Sequence, residues 1–160
     1  MAKIAKISNI IIEQAKNSHI NFQHGAVLTK GSKILAKGFN KSRSKFMSSL
    51  HTCIHAEMDV IHTYITTILH KSININKKNG PNIPILSKCI LWVGRISKEG
   101  TLVNSKPCCQ CIHYLRKIGI KKIGYSTKNG TICIEKIWEI ETNHLSEAQE
   151  NLKTIYARIY

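Results

Sequence analysis

Two short stretches constrain this chain more than anything else in it: His55-Ala56-Glu57 and, far downstream, Pro107-Cys108-Cys109-Gln110-Cys111. A fold that uses both must bring them together, because one histidine and two cysteines supply three of the four ligands of a tetrahedral zinc ion. A structural zinc site closes its fourth position, whereas a catalytic one keeps it for water. Cys108 and Cys111 are three residues apart, so on a helix they share one face. Pro107 suits the start of that helix, where a missing N–H costs nothing. A cysteine in the first helical turn is favoured as thiolate by the helix dipole and by a metal. Glu57 is the piece that a structural site would not need. A carboxylate beside an activated water can take its proton and pass it on, so Glu57 is read as general acid/base and not as a ligand. Cys109 points off the shared face and is read as packing.

Each piece has a plainer meaning alone. A Cys-x-x-Cys in an intracellular protein is more often structural zinc or a redox pair, and any helix start can carry His-x-Glu. The redox reading wants a thioredoxin-like context, which the sequence does not show. A second zinc site built on His51 and Cys53 is a weaker alternative.

At 160 residues the length predicts a single domain with room for a real core. No N-terminal signal peptide is expected, and the sequence has no apolar run long enough to span a bilayer. Six cysteines, three of them clustered, fit metal chemistry in a reducing compartment better than a disulfide framework. The expectation is a cytoplasmic protein with no membrane partner. Charge is unbalanced: 24 Lys+Arg against 9 Asp+Glu, a net +15. Between Gln14 and Ala56 there is no acid, while Lys16, Lys30, Lys33, Lys37, Lys41, Arg43 and Lys45 are all basic. Such a field attracts phosphate, so nucleic acid is kept as a candidate partner. Aromatic residues make up only 6% of the chain, which leaves few base-stacking platforms.

Along the chain, Ile4, Ile7, Ile11 and Ala15 predict an amphipathic helix over 3–17. Residues 25–29 and 33–40, around a Gly31 turn, read as a β-hairpin. Residues 41–50 read as a polar basic loop, in which Lys41, Arg43 and Lys45 can meet a phosphate. A helix is predicted over 55–70, an insertion over 71–88, and a buried strand over 89–96. Lys98-Glu99-Gly100 is a turn, and 101–104 lead into the cysteines. A helix over 108–118 stops at Gly119. A strand over 120–126 and a two-residue Asn129-Gly130 turn predict an antiparallel return over 131–140. The tail, 145–160, reads as helical. Strands alternating with helices imply a layered α/β sandwich, with both metal stretches at helix starts on one edge of the sheet.

The order and the motifs resemble the cytidine and deoxycytidylate deaminase superfamily over about 25–126. His-x-Glu followed by Pro-Cys-x-x-Cys is the signature of zinc deaminases. Gly25-Ala26-Val27, Gly38-Phe39-Asn40 and Gly119-Ile120-Lys121 are weaker landmarks of the same kind. The resemblance implies a three-layer α/β/α sandwich with a five-stranded mixed sheet. It implies Zn2+ held by His55, Cys108 and Cys111, and hydrolytic deamination of an amino-pyrimidine with Glu57 as proton shuttle. It also implies that Asn40 contacts base or sugar, that the backbone of Ala56 contacts the base, and that the segment around Ser105 lies near the departing amino group. A homo-oligomer is implied by the same analogy. The chain from Glu57 to Cys108 is longer than in compact members, which the 71–88 insertion and a 97–104 excursion explain.

The turn after Ser126 is too short for a crossover helix, so the last strand is expected to be antiparallel. By the same resemblance, an antiparallel last strand is similar to the free-nucleoside deaminases more than to the deoxycytidylate or nucleic-acid-editing branches, and this favours a small-molecule pyrimidine nucleoside or nucleotide as substrate. An RNA or single-stranded DNA deaminase is the alternative that the charge supports. A zinc-stabilised nucleic-acid-binding module without catalysis is the third reading, and Glu57 argues against it.

Overall fold

A computed structural model of the chain describes residues 2–42, 45–46, 49–50, 53–68 and 84–145. The apolar stripe at the start forms helix α1 (Ala2–Ala15), which buries Ile7, Ile11 and Ala15. Ile4, predicted on the same stripe, is 37% exposed. Strands β1 (His24–Lys30) and β2 (Lys33–Phe39) form the expected antiparallel hairpin, turned at Gly31 with φ 59°.

The basic segment that follows is not plain loop. It contains β3 (Lys41–Ser42), which pairs with β6 (Cys53–Ile54), and β4 (Lys45–Phe46), which pairs with β5 (Ser49–Leu50). Helix α2 (Ala56–Thr63) then begins one residue after His55. Its continuation, Tyr64–Ile68, is π-helical where an α-helix was expected. Thr66 Oγ1 donates to the His62 carbonyl at 2.8 Å, and Thr67 Oγ1 donates to Thr63. Hydroxyls bonding back to carbonyls four residues earlier compete with the helical ladder and widen the turn.

Of the predicted insertion, Pro84–Lys88 is described and forms a 3-10 turn. Strand β7 (Ile90–Ile96) follows, and β8 (Leu102–Val103) folds back along its end as a short hairpin. Its turn is closed by the Ser97 N–H donating to the Thr101 carbonyl at 2.8 Å, with Gly100 at φ 78°. Helix α3 (Cys109–Lys117) stops at Gly119, φ 90°. Strands β9 (Lys122–Ser126) and β10 (Ile132–Lys136) run antiparallel about a turn with Gly130 at φ 74°. The predicted second strand is cut short at Lys136. The chain turns there, and Ile137 and Ile140 are buried with their carbonyls accepting from Arg116.

The sheet order is β10-β9-β7-β1-β2, with β8 attached to β7. β1 is antiparallel to β2 and to β7, β7 is parallel to β9, and β9 is antiparallel to β10. The sheet is therefore mixed, with the last strand antiparallel as its short turn demands. Alternation along the strands splits the core into two faces. Val27 and Trp92 meet Ile7 and Ile11 of α1 on one face. Ala26, Leu28, Leu91, Val93 and Ile123 meet residues of α2 and α3 on the other. The result is a three-layer α/β/α sandwich.

Close approach fixes α2 against β2. A Cβ on Gly38 would stand 2.7 Å from the Val60 backbone nitrogen and 2.9 Å from Asp59 Oδ2. Only the absence of a side chain lets the helix sit that near, and that helix carries Glu57.

Candidate metal centre

His55 precedes α2 as its N-cap, in extended conformation and without a side-chain capping bond. Its imidazole is thus free for another partner. Cys108 is the N-cap of α3, and Cys111 lies in the first turn. Pro107 therefore stands just before the cap rather than inside the helix, and its fixed φ still directs the chain into it. N-cap and third helical residue are neighbours, as in a capping box, so the two sulfurs converge.

The three donor atoms, one from each of His55, Cys108 and Cys111, lie within 4.8 Å of one another. His55 Nδ1 is 3.1 Å from Cys111 Sγ and 3.5 Å from Cys108 Sγ. Zinc bonds of about 2.0 Å to nitrogen and 2.3 Å to sulfur at a tetrahedral angle place N and S about 3.5 Å apart. The donors therefore fit one zinc ion, with Nδ1 as the ligating nitrogen. Among the described residues this is the one cluster of its kind. Cys53 helps to raise the pKa of the same histidine but is not part of the ligand cluster. His51, the other half of the alternative second site, lies outside the described residues. All six cysteines are free thiols.

The electrostatics of the protein alone suit metal capture. A hydrogen bond from Cys111 holds the Cys108 thiol down to about 4 against the opposing effect of burial, with His55 helping. Cys108 is therefore a thiolate at neutral pH. The Cys111 thiol is raised, first by its bond to that thiolate and then by burial. Burial pulls His55 down, but Cys108, Cys53 and the charge of Glu57 outweigh it and lift the imidazole to about 11. Binding zinc must displace protons from His55 and Cys111, which makes affinity steeply pH-dependent.

Glu57 is the second residue of α2 and is 4% exposed. Burial raises its pKa, and His55 opposes the rise. Glu57 stands two residues after His55 in the first turn of α2 and is not one of the clustered ligands.

The remaining sequence candidates fall close by, each held by its own backbone partners. Asn40 is buried at the exit of β2. Its Oδ1 accepts the His24 N–H at 2.8 Å and its Nδ2 donates to the Phe22 carbonyl at 2.7 Å. Each end of the amide keeps one further hydrogen-bonding valence. Ala56, fully buried, opens α2, where the Met58 and Asp59 N–H groups donate to the His55 carbonyl at 3.1 and 3.0 Å. Ser105 donates from Oγ to the Val93 carbonyl at 3.0 Å and accepts the Ser126 N–H at 3.0 Å. It pins the loop before the cysteines across β7 and β9.

Lys41 is engaged elsewhere than on a phosphate: its Nζ is 2.9 Å from Asp59 Oδ1. Arg43 and the side chain of Lys45 lie outside what is described. Asp59 is the residue that sequence reasoning passed over. It is 3% exposed, and its Oδ2 also accepts the Phe39 N–H at 3.2 Å. The visible signal was a second acid in the first turn of α2, two residues after Glu57, following a wholly basic stretch.

The mixed sheet thus carries a His/Cys/Cys triad that could hold one metal ion and a buried carboxylate, across two helix starts. The sequence model of the cytidine and deoxycytidylate deaminase zinc-binding region matches residues 1–127, and the chain belongs to that family. The matched region is zinc-binding by description, in agreement with the donor set.

Among solved structures, the chain is similar to the cytidine deaminase of Burkholderia pseudomallei, with TM-score 0.57 and 14% identity over 88% of this chain and 98% of that one. It is similar to the cytidine deaminase of Mycobacterium leprae, with TM-score 0.51 and 17% identity over 83% and 92%. A variant of the Mycobacterium tuberculosis cytidine deaminase gives TM-score 0.52 and 12% identity over 89% and 97%. At such identities the likeness is one of fold. No curated protein matches the chain in sequence. Among the described residues, no helix is long and apolar enough to cross a membrane.

Proposed function

We propose that the chain hydrolytically deaminates a pyrimidine nucleoside or nucleotide, taking cytidine, deoxycytidine or a monophosphate to the uracil form with release of ammonia. The observation that carries the reading is the buried Glu57, set in the first turn of α2 two residues after His55, beside a cluster of His55, Cys108 and Cys111 that does not include it. Zinc bound by those three residues supplies the Lewis acidity that makes water a nucleophile near neutral pH.

Glu57 handles the protons. Its carboxylate takes one from the attacking water and delivers it to the ring nitrogen beside the reacting carbon. It then takes the second proton from the newly added hydroxyl and gives it to the departing amino group, so that a C–O bond replaces C–N and ammonia leaves. Burial suits it to this work, because a raised pKa brings a carboxyl closer to the operating pH.

The backbone of Ala56 contacts the base in this reading. The spare valences of Asn40 meet base or sugar, and the segment at Ser105 borders the leaving group. A homo-oligomer belongs to the same proposal. Ile134 and Trp138, 45% and 53% exposed at the β10 edge, offer it an apolar margin.

The test is ammonia release by the zinc-loaded protein from cytosine, cytidine, deoxycytidine, their monophosphates and a single-stranded oligonucleotide. Turnover of a monomer supports the proposal. Turnover of the oligonucleotide alone reverses the choice of substrate.

A further inference from the structure

The metal-site face of the sheet carries a cation that the reaction does not use. Side chains alternate along a strand. On β7, Leu91 and Val93 pack toward α2 and α3, so Arg95 projects to the same face one step further toward the edge. On β1, Ala26 and Leu28 take that face, so His24 does too. The register places His24 directly opposite Arg95. His24 also feels the charges of His55 and Cys108 together with that of Arg95, so one imidazole senses the guanidinium and two metal ligands at once.

The guanidinium has no counter-ion among the described residues. The ion pairs there are Lys41–Asp59 and Lys136–Glu139. What Arg95 does meet is the Phe22 ring, 5.5 Å from its Cζ to the centroid, and that ring is 49% exposed. Its backbone is fixed, with the Arg95 N–H directed at Ser126 Oγ at 3.4 Å. An arginine held on a rigid strand, half-buried, stacked on an aromatic ring and lacking an acid is arranged to receive an anion.

We infer that Arg95, supported by Phe22, is the phosphate-recognising group of this site, and that the substrate is a pyrimidine nucleoside monophosphate rather than the free nucleoside. The inference rests on the deaminase reading for what occupies the metal side. It does not rest on Lys41, whose charge is already matched by Asp59. A guanidinium suits one phosphomonoester, whereas a polynucleotide track would need a row of cations.

Binding tests it apart from turnover. In the zinc-loaded Glu57→Gln protein, calorimetry compares cytidine and CMP, and deoxycytidine and dCMP, with and without Arg95→Gln. Charge-assisted bonds to a phosphate predict that the monophosphate binds at least about ten-fold tighter than its nucleoside. Arg95→Gln removes most of that preference, and Arg95→Lys restores part of it. Three results overturn the inference: equal binding of nucleotide and nucleoside when Arg95 is present, a preference that survives Arg95→Gln, or an oligonucleotide that binds far better than either monomer through Arg95. Should the wild-type protein release no ammonia from any substrate, the deaminase reading fails, while the binding ratio still reports on Arg95.

Discussion

Replacing Asp59 by alanine is expected to loosen the junction between α2 and the end of β2. The Asp59 side chain makes two contacts: Lys41 Nζ at 2.9 Å and the Phe39 N–H at 3.2 Å. The Lys41 side chain is 36% exposed, so solvent screens the ion pair, and its share is about 0.5–1 kcal/mol. The amide bond to a buried carboxylate is worth about 1.5–3 kcal/mol, since its loss strands the Phe39 N–H. Asp59→Ala should therefore cost about 2–4 kcal/mol, which for a chain of this size lowers Tm by roughly 5–12 °C. Asp59→Asn keeps an acceptor for Phe39 and should cost about 1 kcal/mol. Urea unfolding of the zinc-loaded proteins at neutral pH measures both, with the slope m unchanged if only stability is affected. An Asp59→Ala cost below about 0.5 kcal/mol would refute the reasoning. Equal costs for the two variants would show that the ion pair, not the amide bond, dominates.

Gly38→Ala forces a Cβ to within 2.7 Å of the Val60 backbone nitrogen. It should cost about 1–3 kcal/mol and weaken zinc binding as α2 is displaced, read by unfolding and by a chelator competition. Gly31→Ala, with nothing within 4 Å but φ at +59°, should cost about 1 kcal/mol and leave zinc affinity untouched. His24, half-buried, is lowered from 6.5 to about 4, chiefly by burial and against the bond to the Phe22 carbonyl. The unfolded chain therefore binds the extra proton first as pH falls, so stability drops between about pH 6.5 and about pH 4. Its ring should stay neutral by NMR until near the lower value, and a titration near 6.5 in the folded protein would contradict this.

What the sequence disclosed was local or tied to strong chemistry. The His55 and Cys108/Cys111 stretches name their ligand by residue type. The Asn129-Gly130 turn dictates an antiparallel β10 because two residues cannot carry a crossover. Non-local pairing stayed hidden. Nothing in Lys41 or Asp59 alone predicts their contact, which needs β2 and α2 in place. Likewise β8 is a two-residue strand that exists only because β7 lies beside it. The π-helical turn depends on successive threonine hydroxyls that periodicity ignores. Arg95 looked like one more residue of a buried strand until the register set it opposite His24. The predicted tail helix falls, beyond residue 145, outside the described residues.

The measurement that bears most directly on the whole account is zinc content and ammonia release for the wild-type and Glu57→Gln proteins, side by side on the best monomeric substrate. The account predicts that both hold a zinc ion per chain, since Glu57 is not among the clustered ligands, while turnover falls at least about a hundred-fold in the variant. Full activity in Glu57→Gln, or loss of zinc along with activity, would contradict it.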